Sequence, residues 1–291
     1  AGREPSSQNT MGFDADLFEL PNSGNTLIGN GQTSADIRFT SRGDGYWPFL
    51  NALSIEVIEA DVQLVNSVED ESGNDISGQT VALGDEVNYR LTFQNVGNDN
   101  ALGTEIVVPI PTNLDFDLNT GLDLPSGVTY SYVEPLVGNN FIGELTFTID
   151  DSLVQASGTA HEILIRTNVP TNCNEIRNLC SNEINNQAFA RFVGSTNGTF
   201  YDNRSSFSSL DSCGIGIEET TDIFIDISSC TDFQPEISYD CDTGLAIITI
   251  TPEHPSLTYS IDNRASYQAS NLFTGLNPGS YNIIVDIDGT C

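Results

Sequence analysis

Chemistry in this chain would have to come from a short set of side chains. There are two histidines, six cysteines and a single tryptophan, set among 41 Asp and Glu residues. His161 takes the polar phase of an alternating segment, and His254 lies in the turn Pro252-Glu253-His254-Pro255. Both histidines are expected at the surface, in different blocks of the chain. Neither stands in a nucleophile motif: no G-x-S-x-G elbow, H-E-x-x-H pair or P-loop occurs. The sequence therefore offers no catalytic residue. Acidic pairs such as Asp150-Asp151 or Asp14 with Asp16 read as solvated surface in so acidic a chain. Calcium is the one ion this acidity could hold, because a hard cation takes several oxygens from flexible loops. Its best candidates are Glu69, Asp70, Glu71 and Asp75, in a run without EF-hand spacing, with Asp14 and Asp16 second. No other cofactor is expected. Tyr46 and Trp47, in Gly43-Asp44-Gly45-Tyr46-Trp47-Pro48-Phe49, could form a carbohydrate platform, although aromatic clusters in β proteins more often pack as core.

Charge narrows the partners. All nine cations are arginine, there is no lysine, and the formal net charge is −32. A field of that sign repels phosphate backbones and anionic lipid, which excludes nucleic acid as a partner. No apolar run reaches the length of a membrane helix, so no membrane insertion is expected. Ala1 opens the chain without a charged and apolar leader, as in a mature stretch cut from something longer. Six cysteines without zinc-type spacing imply disulfides and an extracellular address.

The elements that must position these residues are strands. In Glu86-Val87-Asn88-Tyr89-Arg90-Leu91-Thr92-Phe93 the apolar residues recur at every second position, and the same alternation returns at Leu145-Phe147-Ile149, Ile163-Ile165 and Tyr281-Ile283-Val285-Ile287. Helical periodicity is absent. The fold class predicted is all-β, as tandem Ig-like β-sandwich domains. Three blocks are expected. Residues 1–58 are a partial N-terminal β domain with strands near Asp36–Phe39 and Leu53–Val57, the end of a preceding module. Residues 59–228 form a sandwich with a cysteine-bearing extension, and 229–291 a small terminal domain, with Ser228, Ser229, Cys230 and Pro235 marking the boundary. A domain as small as the last commonly needs a staple. Cys241 near its first strand and Cys291 after its last are expected to pair. Cys173, Cys180, Cys213 and Cys230 allow three connectivities, of which the local one, Cys173 with Cys180 and Cys213 with Cys230, is favoured.

Two stretches carry family resemblance. Gly84-Asp85-Glu86-Val87 through Asn95-Val96-Gly97, with the corner Pro109-Ile110-Pro111, resembles the conserved-repeat domain of bacterial surface proteins, an Ig-like sandwich. Val107-Val108 stands where that family often has Asp before its I-P corner. Tyr259-Ser260-Ile261-Asp262, Asn271 to Tyr281 and the closing Gly289-Thr290-Cys291 resemble the SprB-type repeat of gliding-motility adhesins of the Bacteroidota, in which a Gly turns the chain before the last strand and the terminal Cys meets the first-strand Cys. Together these imply a large cell-surface protein exported by the type IX secretion system. Asp151-Ser152-Leu153 is similar to the O-glycosylation sequence of exported Bacteroidota proteins, which makes Ser152 a glycosylation candidate. The eukaryotic sequons at Asn197 and Asn203 are uninformative in that setting.

The function expected is a non-catalytic stalk or adhesin segment in surface adhesion or gliding motility. Its partners would be neighbouring domains of the same long chain, the type IX secretion and cell-surface machinery, and a polysaccharide or other surface. The alternative is a carbohydrate-binding accessory module of a secreted enzyme.

Overall fold

The computed structural model describes residues 3–4, 15–16, 19–29, 31–40, 42–43, 50–55, 57–134, 141–210, 212, 216–240 and 242–287. Among the described residues the fold is almost entirely β, with 46% strand and 5% helix. It divides into two compact units, Ala1–Val57 and Ile58–Cys291.

In the first unit β1 (Arg3–Glu4) pairs antiparallel with β2 (Ala15–Asp16). The strands predicted near Asp36–Phe39 and Leu53–Val57 do not form: the described residues there lie in no element and expose Ile37, Phe39, Leu53, Ile55 and Val57. Alternation alone makes no strand, since the backbone needs a neighbour for its N–H and C=O groups.

The second unit begins with β3 (Val62–Glu69), β4 (Thr80–Val81), β5 (Glu86–Asn95), β6 (Ala101–Pro111), β7 (Leu122–Asp123) and β8 (Val128–Val133). It continues through β9 (Phe141–Ile149), β10 (His161–Asn168), β11 (Glu183–Asn186), β12 (Phe189–Gly194) and β13 (Phe200–Ser205). Then come β14 (Phe207–Leu210), β15 (Gly216–Glu218) and β16 (Thr221–Ile225). One sheet has the order β15-β14-β3-β5-β10-β7, the opposing one β13-β12-β6-β9-β8, and β11-β16-β4 closes one side. Alternation explains the packing. Leu64, Tyr89, Leu91, Phe93 and Ile163 face inward from the first sheet to meet Ile106, Ile110, Leu145, Phe147 and Phe192 from the second. The pattern is an Ig-like β-sandwich.

Beyond it, the helical turn α1 (Ser228–Thr231) leads to β17 (Gln234–Tyr239), β18 (Ala246–Thr251), β19 (Leu257–Ser260), β20 (Leu272–Leu276) and β21 (Ile284–Ile287). These form a sheet β17-β18-β20 and a two-stranded sheet β19-β21. Their core is not self-contained. Ile248, Ile250, Leu257 and Tyr259 bury together with Ile176 and Leu179 of the 172–182 excursion and with Cys230. No helix among the described residues is long and apolar enough to cross a membrane.

Candidate functional site

The motif residues of the first resemblance act in folding. Gly84 adopts φ 87°, a conformation that favours glycine, and its N–H lies 3.2 Å from the carbonyls of Val169 and Pro170. Asp85 accepts from Ala82 N, while Val87, Tyr89 and Leu91 fill the core. Asn95 is fully buried. Its Oδ1 accepts from the amides of Asp61 and Gly97, and its Nδ2 donates to the carbonyls of Asp99 and Val154. Gly97 has no room for a Cβ, which would stand 2.3 Å from the Glu59 carbonyl oxygen. The corner Pro109-Ile110-Pro111 buries Ile110, and the Pro109 carbonyl accepts from Asn186 Nδ2. In the second resemblance, Tyr259 and Ser260 are buried, and the positive φ belongs not to Gly279, before the last strand, but to Gly275, within β20 where its register to β18 shifts.

The carboxylates of the acidic cluster are engaged locally. Glu69 holds Arg90 at 2.8 Å across β3 and β5, with Glu162 of β10 on the guanidinium's other side. Asp70 turns back on its own loop and accepts from Ser72 N, Asn74 N and Asn74 Nδ2. The Asn74 side chain and the loop amides hold the Asp70 carboxyl below its ordinary range. Asp75 likewise accepts from the amide and hydroxyl of Ser77, which lowers its pKa. Glu71 is exposed on the same loop. Among the described residues no group of three or more His, Cys, Asp or Glu is arranged to hold a metal ion. Of the calcium candidates Glu69, Asp70, Glu71 and Asp75, one carboxylate serves an ion pair and two close turns.

Ser152 follows the same turn chemistry. It is exposed, and its amide and hydroxyl both donate to Asp150 Oδ1, the hydroxyl at 2.5 Å. Asp226 receives Ser228 in the same way. The Asp-x-Ser spacing is a local cap that recurs along the chain. The side chains of Asp14, Asp16, Tyr46 and Trp47, together with Cys213, Cys241 and Cys291 and the pairing proposed for the last two, lie outside the described residues.

Two corrections meet at one place. Cys173 bridges Cys230, with the α-carbons 5.2 Å apart, which replaces the favoured pairings with Cys180 and Cys213; Cys180 is itself disulfide-bonded. Nearness in sequence misled because residues 172–182 cross to the terminal module, so that the three-residue helical turn at Cys173 abuts α1. His254, expected at the surface, is 4% exposed. Its Nδ1 accepts from Ser256 N at 3.1 Å, so the ring proton sits on Nε2, which donates to the Ile176 carbonyl at 2.7 Å. His161 is partly exposed, its ring centroid 5.5 Å from that of Phe93.

The 172–182 excursion is tied in both directions. Toward the sandwich, Asn113 and Asn178 exchange two side-chain to backbone bonds, and Arg177 donates to the carbonyls of Thr112 and Leu114 while pairing with Asp115 at 2.8 Å. Toward the module it offers Ile176, Leu179 and the disulfide. Only the cysteines hinted at this in the sequence. The arrangement can hold two modules together.

No family model and no curated protein matches the chain. Among solved structures it is similar to BcpA, the major pilin subunit of Bacillus cereus, at 10% identity and a TM-score of 0.41, over 78% of this chain and 56% of that one. It is also similar to the sixth cohesin of scaffoldin B from Acetivibrio cellulolyticus, at 11% identity and a TM-score of 0.33, over 56% of this chain and 99% of that one. A third likeness is to the collagen-binding domain of a Staphylococcus aureus adhesin, at 11% identity and a TM-score of 0.30, over 59% of this chain and 99% of that one. The chain spans about half the length of the pilin subunit.

Proposed function

We propose that this chain is a non-catalytic structural segment of a large exported adhesin on a bacterial cell surface, of the gliding-motility type carried by the type IX secretion system. The observation that carries this reading is the tie between modules: one disulfide, one buried histidine and one shared apolar cluster join the sandwich to the terminal module. A joint of that kind passes force between modules and resists bending, which is what a spacer needs. Several disulfide-bonded cysteines agree with an oxidising, exported setting. The motif resemblances supply the bacterial surface context. Neighbouring domains of the parent chain and the export machinery would be its partners.

The test is a distance measurement. Spin labels on exposed Ser72 and Tyr267, placed through cysteine-independent chemistry, should give one narrow distance distribution that broadens in the Cys173→Ser/Cys230→Ser variant. A broad distribution in the unaltered protein would count against the spacer. Polysaccharide pull-down abolished by Trp47→Ala would shift the reading to a carbohydrate-binding module.

A further inference from the structure

The terminal module leaves one strand half built. Among the described residues β17 is an edge strand, paired only with β18. Pro235, Ile237 and Tyr239 stand opposite Ile250, Ile248 and Ala246, and directly opposed residues share a face. Ile248 and Ile250 are buried, so the three β17 residues look toward the core side of the sheet. Yet Ile237 is 62% and Tyr239 69% exposed. The two-stranded sheet β19-β21 therefore leaves this flank of the core side uncovered.

Among the described residues the outward backbone groups of this strand also meet no neighbour. Ile250 N donates to the Asn271 carbonyl beside β20, so the polar backbone groups of Ile250 point away from β17. Its partner Pro235 then belongs to a pair without mutual hydrogen bonds, and by alternation Ile237 and Tyr239 do too. The amides and carbonyls of Ile237 and Tyr239 thus point out of the sheet edge, where no strand lies among the described residues. Such an edge is a template for one more strand.

Charge selects the occupant. Glu236 sits mid-strand on the outer face, with exposed Asp232 before β17, and Asp240 and Asp242 after it. The only cation from residue 229 onward is Arg264. A second copy of this chain would bring another −32 charges. We propose that β17 accepts, as a fourth strand, an extended polypeptide segment that alternates apolar residues with Lys or Arg. Its apolar side chains cover Ile237 and Tyr239 on the core side, its cations meet Glu236 on the outer face, and its backbone bonds the free amides and carbonyls of the edge.

The probe is a fluorescent peptide of alternating Lys and Val, titrated into the full chain at 150 mM salt, with a control of the same composition in which the Lys and Val residues are grouped. The alternating peptide should bind about tenfold or more tightly than the control. In hydrogen exchange of the unaltered protein it should slow the amides of Ile237 and Tyr239. Ile237→Lys, a change at an exposed site, should weaken binding about tenfold with the unfolding midpoint unmoved. Equal binding of the grouped control would mean charge alone is at work. That result, protection at another edge, or association of the chain with itself in sedimentation velocity would each overturn the proposal.

Discussion

At the scale of single residues, a recurrent use of the acidic side chains is to close turns. Asp70, Asp75, Asp117, Asp150, Asp226 and Asp240 each accept from an amide two residues on, and each carboxyl is held below its ordinary range by those bonds. Asp262 is the extreme case. The hydroxyl and amide of Ser266, followed by the Ser260 hydroxyl, lower its pKa to about 2. A carboxyl depressed in the folded state stabilises above its unfolded pKa, and that contribution fades as pH falls from about 4 toward 2. Asp262→Asn should flatten the loss of stability over this window, read by denaturant unfolding at stepped pH; an unchanged slope would remove Asp262 from the account. Asn95 is the counterpart in the sandwich, where one amide satisfies two backbone N–H and two C=O groups. Leaving buried polar groups unpaired is what costs, so Asn95→Ala should lower stability by about 3 kcal/mol in urea unfolding, and a loss under about 1 kcal/mol would contradict this.

At the scale of elements, alternation is enough to find the strands of the sandwich but not the partners they take. Val87, Tyr89, Leu91 and Phe93 in β5 were legible because one face of the strand is buried and one is not. The same signal at Ile37 and Phe39 produced no strand, because pairing is non-local and the pattern does not name a neighbour. The crossing of residues 172–182 was illegible for the same reason, and with it the burial of His254 and the Cys173 bridge. A short polar turn such as Glu253-His254-Pro255 reads as surface unless another segment is known to cover it. The bridge itself closes a separation of 57 residues, worth up to about 4 kcal/mol by the chain-entropy argument. Cys173→Ser/Cys230→Ser should lose stability of that order, and the first signals to broaden in NMR on warming should be those of Ile176, Leu179 and Tyr259. Uniform loss across the sandwich would mean that the bridge serves the whole unit and not the joint.

At the scale of the whole molecule, the absence of lysine leaves nine arginines to answer 41 carboxylates. Five of them are spent inside the folded unit, in pairs of Arg90 with Glu69 and Glu162, Arg166 with Asp123, Arg177 with Asp115, Arg191 with Glu105 and Arg204 with Asp61. Four of these five lie in strands. Exposed pairs add little to stability one at a time. Their placement nevertheless writes a cleavage map. Trypsin needs an extended, accessible bond after Lys or Arg, and most of its sites here are locked into ladders. Arg38 and Arg42 are exposed and outside any helix or strand, whereas Arg177, also exposed, is held by the carbonyls of Thr112 and Leu114 and by Asp115, and Arg264 sits in a tight turn at φ 71°. Brief digestion should therefore cut first behind Arg38 or Arg42 and leave one long fragment that contains the sandwich and the terminal module together, read by intact mass. Early cuts behind Arg90 or Arg191 would show that the strands holding them open easily. Because the exposed and untethered arginines among the described residues lie in one region, trypsin would take the first unit long before the rest.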